Sequence, residues 1–163
     1  MILGMSTSAF TTLHVIISLI AIATGLVVAF GMAAGRVMPR WTMLFLVMTI
    51  LTSVTGFAFP NEHVTPGIVI GALSLMVLAV ALFALYVKHE VRRWRWIYIV
   101  SAIIALWFNV FVLIVQSFQK IAFLQALAPT QSEPPFQIVQ GVALLMLVIA
   151  AVLAVRRYRP APA

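Results

Sequence analysis

The sequence predicts an all-α fold, an integral membrane bundle of five transmembrane helices in a single domain spanning residues 1–163, with the N-terminus outside and the C-terminus cytoplasmic. Three observations predict it. Of the 163 residues, 64% are hydrophobic and only 8% are charged, and mean hydropathy is +1.18. A soluble domain carries about 25% charged residues, so this chain has too few to cover a surface in water. Five apolar stretches approach the ~20 residues that a helix needs to cross a bilayer. The basic residues also alternate between the connections in a way that defines two sides.

The first span is read at about 8–34, opening in a threonine- and serine-bearing segment without a basic run, which is not read as a signal peptide. Gly35 to Arg40 connects it to a second span at 41–59, near the short end of the allowed range. Pro60 to Val64 follows, and Thr65-Pro66 reads as an N-cap and first-turn proline starting the third span, 66–88. Lys88 to Arg95 leads to the fourth span, 94–120, whose apolar character continues to Leu127. Thirty-four residues from 94 to 127 would extend roughly 51 Å as one helix, beyond the ~30 Å hydrocarbon core, so its end must tilt, protrude or bend. Ala128 to Pro135 forms a proline-rich polar turn, with Ser132 expected to cap the fifth span, 136–155, and Glu133 suited to its positive end. That turn is expected to be ordered and to pack over the mouth of the bundle, where Gln131 and Glu133 can answer Lys120 or His63.

Arg36, Arg40, Lys88, Arg92, Arg93, Arg95, Arg156, Arg157 and Arg159 fall on one side of this topology, and Lys120 alone on the other. That asymmetry places the nine in the cytoplasm. Trp41, Trp94, Trp96 and Tyr158 accompany them as an interfacial aromatic belt. The net charge of +7 is thus a matter of topology, not of nucleic-acid binding. Cysteine is absent, which removes disulfides and thiolate chemistry. Five spans cannot divide into two equal inverted halves, as a classical secondary transporter would.

Polar residues at helical spacing form stripes expected to face inward. Thr7, Thr11, His14, Ser18, Ala21 and Gly25 share a face of the first span; Thr42, Thr49, Ser53 and Gly56 one of the second; Gly67, Gly71 and Ser74 one of the third; Tyr98, Ala102, Ala105, Asn109, Gln116 and Lys120 one of the fourth. Asn109 reads first as a hydrogen bond to a neighbouring helix and second as a ligand contact. His14 reads either as a neutral side chain bonded to a nearby hydroxyl or as a functional group: a haem ligand, a proton relay or a partner for a quinone carbonyl. His14 and Gln116 are expected at matching depth in the outer leaflet, approaching across one cavity. No metal site is predicted, because no motif gathers three or four ligands, and neither a phosphate loop nor a nucleophile elbow is present.

The run from Asn109 to Phe136, NVFVLIVQSFQKIAFLQALAPTQSEPPF, most of all its parts Asn109 to Gln116 and Leu127 to Phe136, resembles a segment of an uncharacterised family of small multi-pass bacterial inner-membrane proteins. The resemblance covers about one-fifth of the chain and implies topology and an inner (cytoplasmic) membrane, with no chemistry attached.

The expected function is non-enzymatic: binding or passing a small hydrophobic or weakly polar molecule in an outer-leaflet polar pocket. His14, Ser18, Asn109, Gln116 and Lys120 are the expected ligand contacts, with His63, Glu62 and Glu133 above them in the outer loops. Two alternatives stand beside it: a redox membrane subunit holding haem b or a quinone through His14, and an accessory subunit whose stripe packs only against protein. The implied partners are the lipid bilayer, a small hydrophobic ligand, and a second copy or a larger membrane complex; nucleic acid is not among them.

Overall fold

The computed structural model describes residues 2, 4–60, 65–89, 91 and 93–159. The described residues are helical, without strands beyond one isolated bridge between Ile2 and Met5. Five helices are long and apolar enough to cross a membrane, which marks a multi-pass membrane protein.

Helix α1, Thr7–Ala33, begins where Ser6 accepts a hydrogen bond from the Ala9 amide at 3.2 Å. It ends at Gly35, whose φ of +78° is the left-handed turn that glycine adopts freely. Helix α2, Pro39–Phe57, starts on a proline. Helix α3, Pro66–Leu82, is capped by Thr65, whose hydroxyl accepts from the Ile68 amide at 3.4 Å; it runs on through a wide π-helical turn, Phe83–Val87. Helix α4, Arg93–Lys120, is the long fourth span. The excess length ends in a bend: Ile121 is extended, and a separate short helix α5, Ala122–Leu127, follows with no buried residue. Helix α6, Pro134–Arg157, completes the bundle. Its N-cap is Glu133, without a side-chain cap bond, so the cap falls one residue later than expected at Ser132.

Helix α4 packs against α1, α3 and α6 and touches α2; α1 also packs against α2 and α6, and α2 against α3. The centre of the bundle is Val28, Phe45, Leu46, Leu78, Tyr98, Ile99 and Leu106, each at most 1% exposed. Alanines let the helices approach closely: Ala81 and Ala84 of the third span and Ala102 and Ala105 of α4 are all buried. Gly25 serves the same purpose, because a Cβ there would stand 2.6 Å from Leu106 and 2.8 Å from the Phe45 ring. Around this core the helices present large apolar side chains outward, among them Ile16, Met43, Met76, Leu145 and Val148. That coat suits hydrocarbon and would aggregate in water.

The two ends of the bundle differ. The basic end, with the α1–α2 and α3–α4 turns and the end of α6, is stitched together. The Arg95 guanidinium donates to the Tyr158 carbonyl at 2.9 Å and to the Val155 carbonyl at 3.5 Å, satisfying acceptors at the end of α6. Gly35 lies so close that an added Cβ would be 3.2 Å from the Arg157 carbonyl oxygen. The far end is looser. On α4, burial is nearly continuous from Tyr98 to Asn109, and beyond it only Phe118 is buried.

Candidate functional site

The α2 stripe is buried at Thr42, Thr49 and Ser53, whereas those of α1 and α4 are buried only toward the basic end. On α1, Ala21 and Gly25 are buried, His14 and Ser18 half-buried, and Thr7 exposed; on α4, Tyr98, Ala102, Ala105 and Asn109 are buried while Gln116 and Lys120 are exposed. Beyond Asn109, Phe118 is the one buried residue of α4. The expectation of a fully inward stripe therefore holds for the inner part of α4 and fails at Gln116 and Lys120.

His14 is the best-defined polar group at this end. Its Nδ1 lies 2.7 Å from the Thr55 hydroxyl of α2, and that hydroxyl also lies 2.7 Å from the Leu51 carbonyl and 3.2 Å from the Thr52 carbonyl. A threonine hydroxyl has one proton. All these contacts are hydrogen bonds only if the threonine donates within its own helix and His14 Nδ1–H donates to it. The tautomer assigned this way leaves Nε2 as an acceptor. Among the described residues nothing donates to Nε2. The ring is packed on one side, edge-on to Phe59 at 5.3 Å, and Phe59 in turn meets Phe10 at 5.1 Å. Gly56 leaves space beside the ring, its hypothetical Cβ standing 3.7 Å from His14 Cε1.

The other expected contacts separate. Ser18 donates to the His14 carbonyl at 2.7 Å, so its proton is committed within α1. Asn109 lies in the middle of the bundle and donates to the buried Thr49 hydroxyl at 3.2 Å; this is the helix–helix bond that formed the plainer of its two readings. No hydrogen bond joins Gln116 to His14 among the described residues, and His14 turns to α2 instead. Glu62 and His63 lie outside the described residues.

Glu133 does not answer Lys120. One carboxylate oxygen accepts from the Thr130 hydroxyl at 2.9 Å and the Thr130 amide at 3.2 Å, and the other from the Ser132 amide at 3.0 Å. Desolvation pushes this carboxyl up, but those hydrogen bonds to its charged form outweigh it and hold the group below the ordinary glutamate value. The turn is thus ordered from within, and it is also docked: Gln131 donates to the Val115 carbonyl of α4 at 3.1 Å, and Phe118 of α4 meets Phe136 of α6 at 5.3 Å.

Sequence reasoning missed Thr55 and Phe59, and it expected Gln131 to answer Lys120 or His63 where the side chain instead donates to the Val115 carbonyl. Thr55 stands beside the stripe that was followed through Ser53 and Gly56; the spacing of Thr52, Thr55 and Phe59 marks a second face of α2 and its exit that could have signalled it. It missed the α4–α6 seam as well, where the buried Trp107 Nε1 and Gln140 Oε1 have no hydrogen-bond partner. Among the described residues no three histidine or acidic side chains converge on a point that could hold a metal ion. No family model, curated protein or solved structure matches this chain.

Proposed function

We propose that this is a non-enzymatic inner-membrane protein, with the basic end in the cytoplasm and the far end outside, that binds or passes a small weakly polar molecule beside His14. The observation that carries the reading is the imidazole tethered at Nδ1 by Thr55. A ring held at one nitrogen presents the other in a fixed direction. With Nε2 as acceptor, the favoured ligand is a hydroxyl donor on an apolar body, such as a quinol or a hydrophobic alcohol. Phe10 and Phe59 supply an apolar wall, and Lys120 is an exposed cation at the same end of the bundle. Nine of ten Lys and Arg residues at one end support the orientation.

The same tether supports a second reading, since a histidine whose far nitrogen donates to a hydroxyl is oriented as metal-ligating histidines are. Haem iron on Nε2 would give a Soret band in the purified protein, which a hydroxyl ligand would not.

The test is thermal unfolding in detergent with a short-chain ubiquinol, the matching ubiquinone, and the quinol dimethyl ether. The quinol is expected to raise Tm most, because it alone donates to Nε2, and His14→Leu is expected to abolish that shift while leaving a helical, membrane-inserted protein. Equal shifts from quinol and dimethyl ether would overturn the acceptor role of His14. A purified protein that shows a Soret band and no quinol shift would favour haem.

A further inference from the structure

We propose that the seam between α4 and α6 binds one anionic phospholipid from the leaflet at the basic end. A crevice of about 210 Å³ lies between the two helices, lined by aliphatic side chains and the Trp107 indole. Val100 and Trp107 mark its extent on α4, and Leu144 and Val152 on α6. Eight residues of rise from Leu144 to Val152 give it a length of about 12 Å, most of the ~15 Å that one leaflet contributes to the hydrocarbon core. Trp107 and Leu144 stand near the middle of their helices, and Val100 and Val152 toward the basic end. The crevice therefore runs from the midplane to one membrane edge, along the direction of a lipid tail.

Charge at that edge selects the occupant. Arg93 lies two turns before Val100 on the same face of α4, and Arg156 one turn beyond Val152 on α6; both are exposed. Between the helices, Arg95 is already held by the Tyr158 and Val155 carbonyls and retains further N–H groups for an anion. Trp96, one turn before Val100 and exposed, supplies an indole at headgroup depth. Of the three acidic residues of the chain, Glu90 alone falls in a connection of the basic end, against nine Lys and Arg. Arginines bind phosphate through paired N–H donors, and basic sites between membrane helices take anionic headgroups. An acyl chain in the crevice would carry its phosphate to this cluster.

Trp107 makes the site observable. In a protein whose remaining tryptophans, Trp41, Trp94 and Trp96, are changed to phenylalanine, its fluorescence can be quenched by lipids brominated on the acyl chain. Brominated phosphatidylglycerol is expected to quench at a several-fold lower mole fraction than brominated phosphatidylcholine. The double substitution Arg93→Gln with Arg156→Gln is expected to remove that preference. Arg36→Gln with Arg40→Gln, which removes the same charge from the α1–α2 turn, is expected to keep it. Equal quenching by the two lipids would overturn the proposal, and so would equal loss of preference in both double variants, which would mean attraction by surface charge alone. Should the tryptophan variant fail to fold, thermal unfolding of the unaltered protein serves instead. Phosphatidylglycerol should raise Tm several degrees above phosphatidylcholine, and the Arg93/Arg156 variant should lose the difference; no difference in the unaltered protein would overturn the proposal.

Discussion

The basic end and the far end of this bundle are built from the same kinds of helix and are held together differently. At the basic end, side chains spend their bonding capacity on the protein: Arg95 closes the end of α6, Gly35 brings the α1–α2 turn onto Arg157, and the alanines of the third span and α4 pack in contact. At the far end, Ser18 and Thr55 bond their own helices, Glu133 its own turn, and His14 keeps one nitrogen uncommitted. Between the centre and the basic end a crevice runs along the α4–α6 seam. At the other end Gln116 and Lys120 are exposed, and among the described residues nothing donates to His14 Nε2. In a membrane the hydrophobic effect does not drive helices together, so packing and polar bonds determine where a bundle is tight.

The sharpest way to break this comparison uses two glycines. Gly25→Ala places a methyl against Leu106 and the Phe45 ring at under 3 Å, and overpacking of this kind costs about 1–3 kcal/mol. Gly56→Ala meets His14 Cε1 at an ordinary 3.7 Å and is expected to change stability by less than about 0.5 kcal/mol. Thermal or denaturant unfolding in one detergent measures both, and equal costs would show that the ends are packed alike.

A smaller effect is expected at the boundary between the two regions. Asn109→Leu removes the donor to Thr49, which is fully buried. Hydrogen bonds between membrane helices contribute about 0.6–2 kcal/mol, so a loss of that order is expected, and Asn109→Leu combined with Thr49→Val should recover part of it. A double-mutant cycle that shows no coupling would remove this bond from the list of what holds the centre.

The smallest effect belongs to the far-end turn and depends on pH. The Glu133 pKa is depressed in the folded protein, so the order it confers is complete above the ordinary glutamate value of about 4.3 and is lost as pH falls through the lower folded value. Amide exchange at Thr130 and Ser132, corrected for intrinsic rates, should show protection at neutral pH and lose it in acid; Glu133→Gln should lack protection at both. Protection that persists in acid would mean that Gln131 on the Val115 carbonyl holds the turn without Glu133.

The five spans were legible because helix length and charge asymmetry are properties of the chain taken segment by segment. Each span lies within about two residues of its expected boundary, and the surplus after Lys120 becomes the bend at Ile121 and helix α5. Thr65 and Pro66 start α3 as their chemistry requires. The site was less legible, for a physical reason. Periodicity tells which residues share a face but not how far a helix leans from its neighbours. Asn109 and Gln116 share a stripe, yet one is buried and the other exposed. Pairing between helices was equally hidden: His14 could have met any hydroxyl at its depth, and only the assembled α1–α2 contact selects Thr55. The α4–α6 crevice left no sequence signal, since its lining is as apolar as the lipid-facing surface around it.

The last helix joins the first. Consecutive helices α1 and α2, and likewise the third span and α4, can pair as soon as both are in the membrane, with short loops to close. Helix α6 packs against both α1 and α4, so it closes a ring whose other members were made earlier. During synthesis, a stage with four inserted spans would leave Gly35 without Arg157 and Arg95 without the carbonyls of Val155 and Tyr158. The guanidinium clasp therefore forms only once α6 has joined α4. A chain cut short before residue 155 would insert and pair locally, but would lack the latch that tells a finished bundle from an unfinished one.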